Sequence, residues 1–174
     1  MSSLDDCLTF TLREEGGFVN NPRDPGGATN MGVTLATLRV WRDDPHLTAA
    51  DVKALTRVAV TSIYGADYWN KLRCDALPTG VDLMAFDFAV TSGTLRSAKM
   101  LQMALGFAAD AIDGAVGPDT LRMAAAAHPA TVITDLAGQH GAFYRALPTF
   151  SVFGAGWLAR TRRRQTTALA LAGS

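Results

Sequence analysis

Glu15, Asp24 and Thr29 bring two carboxyl groups and a hydroxyl into one short stretch, REEGGFVNNPRDPGGATNMGV. Paired carboxyl groups suit the cleavage of a glycosidic bond. One gives a proton to the leaving oxygen, and the other acts as nucleophile or activates a water on the opposite side of the sugar. A carboxyl group donates near neutral pH only where its surroundings disfavour the ionised form. Glu15 fits that requirement, because it closes an apolar helical stripe, where the negative end of the helix dipole and apolar neighbours favour the protonated acid. Asp24 and Thr29 lie on a turn-rich loop that can fold back over the helix end. Gly27 and Gly32 allow sharp turns and the close approach of a sugar ring. Either stereochemical outcome stays open: about 5–5.5 Å between carboxyl groups for retention, about 6.5–9.5 Å for inversion. Plainer readings stand beside these. A Glu before Gly-Gly is often a solvated helix end, Asp24 in Asp-Pro-Gly-Gly is a good turn former, and Thr29 can cap a turn.

The elements that must position these residues are helical nearly throughout. Leu4, Cys7, Leu8, Thr11 and Glu15 recur at helical spacing, and Gly16-Gly17 ends that first helix. Residues 18–33, rich in Asn, Pro, Asp and Gly, read as a tight loop or a short irregular β-hairpin. Thr34 caps a helix through Leu38 and Trp41, and Thr48 with Asp51 opens a short one. A further helix carries Val58, Ile63, Tyr64 and Trp69. Thr79 with Asp82 reads as the cap of a strongly apolar helix through Leu83, Phe86 and Val90, ended by Ser92-Gly93. Beyond it come an amphipathic helix closing at Gly106, an Ala-rich helix opened by Gly117-Pro118, and helices over 129–147 and 154–171. The expected class is mainly α, with residues 1–93 as one domain and 94–174 as a helical module packed on it.

Bulk properties narrow the function. The chain has 174 residues, 16 Lys plus Arg against 16 Asp plus Glu, and 48% hydrophobic residues. That is an ordinary globular composition, whose zero net charge gives no reason to expect nucleic-acid binding. Two cysteines, Cys7 and Cys74, make neither a disulfide framework nor a CxxC metal pattern, and His46, His128 and His140 are scattered. No metal and no organic cofactor is therefore expected. No uninterrupted apolar run is long enough for a membrane span. The opening MSSLDDCLTF lacks a basic segment, so synthesis in the cytoplasm without a signal peptide is expected.

Several other residues admit two readings. Tyr64, Tyr68 and Trp69 can stack on sugar rings, although aromatics at helical spacing are more often core. Asp87, inside the apolar run LMAFDFAV, must be paired or functional. Trp157 can anchor glycan or simply pack. The run Arg160, Arg162, Arg163 and Arg164 reads first as a solvated helix face.

The Glu15-Gly16-Gly17-Phe18 start followed by Asp24, Gly26, Gly27, Thr29 and Gly32 resembles the signature of glycoside hydrolase family 108, the Zliten-type N-acetylmuramidases. Tyr64, Tyr68-Trp69, Cys74-Asp75, Leu77-Pro78, Gly80-Val81-Asp82, Phe86-Asp87, Ala89-Val90 and Ser92-Gly93 continue the likeness. Thr91 stands where the family has Asn, and Phe18 where it has Tyr. Leu101-Gln102, Leu105-Gly106, Asp113-Gly114, Gly117-Pro118 and Thr120 are similar to the predicted peptidoglycan-binding module that accompanies the family. Phe143-Tyr144 and Gly156-Trp157-Leu158 with Arg160 fit its closing helices.

The resemblance implies a lysozyme-like helical fold that hydrolyses the β-1,4 bond between N-acetylmuramic acid and N-acetylglucosamine in bacterial peptidoglycan. Glu15 would be the general acid, with Asp24 and Thr29 orienting water or stabilising developing positive charge. The expected substrate-binding set is Phe18, Tyr64, Tyr68, Trp69, Asp87 and Ser92. A monomer, acting on the wall after release through holin pores or another route, fits the endolysins and secretion activators of the family. Three alternatives remain: a lytic transglycosylase, a non-catalytic wall-binding secretion accessory, and a nucleic-acid binder using the arginine run.

Overall fold

The computed structural model describes residues 3–20 and 27–173. Helix α1 spans Leu4–Glu15, opened by a Ser3–Asp6 capping box and closed at Gly16, whose φ is +76°. Such a φ is costly for any residue with a Cβ, so glycine stops the helix directly after Glu15. Two short strands follow, β1 (Thr29–Asn30) and β2 (Val33–Thr34), paired antiparallel. Val19 bridges to Thr29, which extends the hairpin toward the end of α1. Asn30 anchors it below, its amide donating to the Val52 carbonyl at 3.1 Å.

Helices α2 (Leu35–Arg42), α3 (Ala49–Lys53) and α4 (Arg57–Tyr64) come next. Thr34 caps α2 and a Thr48–Asp51 capping box opens α3, as their sequence pattern suggests. After Tyr64 the chain widens into one π-helical turn, Gly65–Trp69, where Asn70 N–H reaches the Gly65 carbonyl at 2.9 Å.

Helix α5 (Val81–Ser92) is the axis of the molecule, with every residue from Val81 to Ala89 buried. A helix apolar on all sides is one surrounded on all sides. Helix α1 and the π turn pack against it, as do α6 (Thr94–Ala104), α8 (Pro129–Arg145) and α9 (Phe150–Ala172). Its cap differs from the Thr79–Asp82 expectation. Gly80, with φ +84°, is the N-cap, and the Asp82 carboxylate accepts from Gly80 N–H at 2.8 Å and Leu83 N–H at 2.7 Å. The reason is tertiary: a Cβ on Gly80 would collide with the Ala168 carbonyl oxygen and the Ile133 side chain, so α8 and α9 close in too tightly for any other residue. Helix α9 begins at Phe150, ahead of the expected start at 154, and runs through Gly154 and Gly156.

Helix α7 (Pro118–Ala126) starts at Pro118 as expected. The loop before it is held by the matched module residues. Gln102 donates to Asp113 Oδ1 at 2.7 Å and to the Ala115 carbonyl at 3.1 Å, and accepts from Gly114 N–H at 2.8 Å. Gln102 and Thr120 are buried, so this part of the pattern builds a structural clasp. The architecture is mainly α and lysozyme-like, with one two-stranded hairpin among the described residues. No helix of the described residues is long and apolar enough to cross a membrane.

Candidate active site

Thr11 and Glu15 stand one helical turn apart on the face of α1 that meets α5 and α9. Asp87 faces them from the middle of α5, and Arg160 and Arg164, again one turn apart, approach from α9. The result is a closed ionic network. Arg160 grips Asp87 with two donors, Nε to Oδ2 at 3.1 Å and Nη2 to Oδ1 at 2.7 Å, and turns its third nitrogen, Nη1, to Glu15 Oε1 at 2.7 Å. Arg164 Nε lies 2.9 Å from Asp87 Oδ2, and Thr11 donates its hydroxyl to Asp87 Oδ1 at 2.9 Å. Asp87 and Arg164 side chains are fully buried, Arg160 is 13% exposed and Glu15 22%. Exposure therefore grows outward along the network, and Glu15 is its opening to solvent.

The charges sustain one another. Burial alone would push the Asp87 carboxyl up, but Arg164, Arg160 and the Thr11 hydroxyl outweigh it and hold Asp87 below its ordinary value. Burial likewise works against the Arg160 cation, yet its bonds to Asp87 and Glu15 hold its pKa above the ordinary value. His140 completes the interior, with Nδ1 3.2 Å from Arg164 Nη1 and its ring stacked on Phe88 at 3.7 Å. Burial, with the Arg164 charge, pushes His140 well below its ordinary value, so it is neutral. Since guanidinium can only donate, Nδ1 is the acceptor and the proton sits on Nε2.

The hairpin and the aromatic pair enclose Glu15 from the other side. The Tyr64 hydroxyl donates to the Met31 carbonyl at 3.0 Å, tying the end of α4 to the hairpin tip. Burial and then the Glu15 charge push Tyr64 above its ordinary pKa, keeping it a neutral donor. Gly32 (φ +76°) sits in the remaining gap, where a Cβ would collide with the Tyr64 hydroxyl and come within 3.1 Å of Glu15 Cγ. The close approach that Gly32 permits is thus to Glu15 and Tyr64.

The expected site residues divide accordingly. Thr29 is half-buried on the hairpin, its backbone paired with Val19, and Phe18 beside it is 37% exposed, with Lys53 Nζ 5.8 Å from its ring centre. Tyr68 is half-buried and packs on Tyr64 at 5.6 Å. Asp24 lies outside the described residues. Three expectations of direct sugar contact, those for Trp69, Tyr64 and Asp87, need correction. Trp69 and Tyr64 are each only 2% exposed and pack edge-on or tilted on Phe86, so they offer no face to a sugar. Asp87 is fully buried and paired. Ser92 borders a hollow with Gly93, Leu95 and Arg96.

Two further expectations change. The immediate neighbour of Glu15 is a guanidinium, not an apolar wall. The arginine run is only partly a solvated face: Arg162 and Arg163 are exposed, while Arg160 and Arg164 turn inward. Their one-turn spacing, beside the buried Thr161 and Ala168, was the signal for this.

A solved structure, that of Brucella abortus SagA, superposes with a TM-score of 0.85 at 42% identity, covering 98% of this chain and 96% of that one. The family model for Glycosyl hydrolase 108 matches residues 8–93. The chain belongs to glycosyl hydrolase family 108. Membership makes it a glycosidase of a peptidoglycan-hydrolase family. No curated protein matches it. The family 108 segment contains Glu15, Gly32, Tyr64 and Asp87 but ends before α9, which supplies both arginines.

Proposed function

We propose that the protein is a hydrolytic N-acetylmuramidase, cleaving the β-1,4 bond between N-acetylmuramic acid and N-acetylglucosamine with Glu15 as general acid. The observation that carries this reading is the placement of Glu15. It is the partly exposed end of an otherwise interior ionic network, at the rim of a glycine-bearing hairpin, in a family 108 chain. A carboxyl group so placed can reach a bound glycan while its other contacts fix its orientation. By position in the family signature, Asp24 and Thr29 serve the opposite side of the sugar, orienting water or stabilising the oxocarbenium-like charge. Phe18 is exposed and Tyr68 half-buried, and aromatic side chains so placed suit the apolar face of a sugar. The reaction uses no cofactor in this reading, and the protein acts as a monomer on the wall after leaving the cytoplasm.

The test is turbidity loss of purified Gram-negative peptidoglycan by wild type and Glu15→Gln, with mass analysis of the products. Muropeptides with reducing muramic-acid ends, released by wild type alone, support the proposal. Products carrying 1,6-anhydro ends would instead make the protein a lytic transglycosylase. Binding to sacculi without cutting by either protein would make it a wall-binding accessory.

A further inference from the structure

We infer that Arg160, contributed by the last helix and lying outside the matched family segment, is the positioning residue of the active site: its fork to Asp87 aims the nitrogen that orients Glu15. The inference rests on the general-acid reading of Glu15.

Three observations lead to it. First, Arg160 spends all three guanidinium nitrogens on carboxylates, two on Asp87 and one on Glu15. The fork to Asp87 fixes the plane of the guanidinium, and that plane fixes where Nη1 points. Second, the anchor is itself immobile. Asp87 is fully buried and bound also by Thr11 of α1 and Arg164 of α9, so three helices meet at one carboxylate. Asp87 accepts twice from Arg160 and once from Thr11 and carries the charge of Arg164 as well, so the Arg160 fork has a fixed anchor from which to aim its third nitrogen. Third, the neighbouring pair differs. Glu14 and Arg163 also join α1 to α9, at 2.6 Å, but the Arg163 side chain is 55% exposed and its hydrogen bonds among the described residues go to Glu14. That pair tethers two helices, whereas the Arg160 pair lies along a chain of contacts into the core.

As the glycosidic bond breaks, the proton moves from Glu15 to the leaving oxygen and the bonding pair stays with that oxygen. Glu15 Oε1 is held at 2.7 Å by Arg160 Nη1, so the carboxyl keeps one orientation toward a bound glycan. A residue acting through Glu15 in this way alters kcat and leaves KM nearly alone.

The experiment compares wild type, Arg160→Lys, Arg160→Gln and Arg163→Gln on soluble peptidoglycan fragments, with circular dichroism and Tm recorded for each. Wild-type release of reducing ends, lost in Glu15→Gln, first establishes the reading on which the inference rests. Misplacing a catalytic group by about 1 Å costs about 10²-fold, and this is the fall in kcat expected for Arg160→Gln, with KM within about threefold. Lysine keeps the charge but cannot make the fork and the third bond together, so Arg160→Lys falls between wild type and Gln. Arg163→Gln keeps wild-type kcat. Wild-type kcat in folded Arg160→Gln or Arg160→Lys overturns the inference, as does a loss carried by KM alone. Should the Gln variant fail to fold, the Lys variant decides by the same criterion.

Discussion

Arg160 Nη1 donates to Glu15 Oε1 at 2.7 Å, joining residues 145 positions apart in the chain. The contact joins the end of the first helix to the middle of the last. Through Asp87 it also makes the central helix a partner in the site. The candidate acid is therefore held by tertiary structure on one side and by a local hairpin on the other.

Glu15→Gln is expected to remove glycan cleavage while preserving the fold. The amide oxygen can still accept from Arg160, and the fork to Asp87 is untouched. Unchanged far-ultraviolet dichroism with no release of reducing ends is the expected outcome. Residual cleavage near the wild-type rate would remove Glu15 from the mechanism.

Asp87→Asn leaves the fully buried Arg164 guanidinium without its counter-charge and Arg160 with Glu15 alone. Removing one partner of a buried ion pair costs about 3–5 kcal/mol, so a large fall in Tm is expected. Chemical denaturation checks it. A variant as stable as wild type would mean that the network is not an energetic keystone of the fold.

Gly32→Ala should harm both stability and activity. The new Cβ meets the Tyr64 hydroxyl and Glu15 Cγ, and alanine disfavours φ +76°. A loss of about 1–3 kcal/mol from overpacking is expected, with a fall in kcat because Glu15 must shift. Normal kcat in this variant would show that the hairpin does not constrain the acid.

Trp69→Ala separates core from substrate contact. Trp69 is buried against Phe86, and its Nε1–H donates to Asp75 at 2.8 Å. Truncation should cost about 3–5 kcal/mol and leave KM of the folded enzyme near the wild-type value. A raised KM with unchanged Tm would return Trp69 to the cleft.

Stability should fall on the acid side in two steps. The folded pKa of His140 lies well below the ordinary 6.5, so the unfolded chain takes up a proton that the folded chain refuses. Its contribution is complete above about pH 6.5 and is lost as pH falls, with a slope of about 1.4 kcal/mol per pH unit. Asp87, also lowered, adds a loss of the same sign below its ordinary 3.8. Urea titrations at several pH values measure both slopes. His140→Asn should flatten the first, and a slope surviving that change would assign it elsewhere.

Much of the framework was legible in the residues themselves, because local rules act over a few positions. The stripe from Leu4 to Glu15, the Gly16 stop, the Thr34 cap, the Thr48–Asp51 box and the Gly117-Pro118 start all follow from helical spacing and backbone preference. The same local pattern carried the family signature and singled out Glu15. Tertiary structure alone decided the surroundings of that residue. The capping of α5 by Gly80 depends on how closely α8 and α9 approach. The interior positions of Trp69 and Asp87 depend on what covers the apolar helix. The turning inward of Arg160 and Arg164 depends on a buried carboxylate, Asp87, that lies far away in sequence. A one-turn spacing tells which side chains share a face, but a charged face is equally consistent with solvent or with a buried counter-ion. Only the packing of α1, α5 and α9 chose the counter-ion, since desolvating a guanidinium is tolerable only where a carboxylate is already waiting for it.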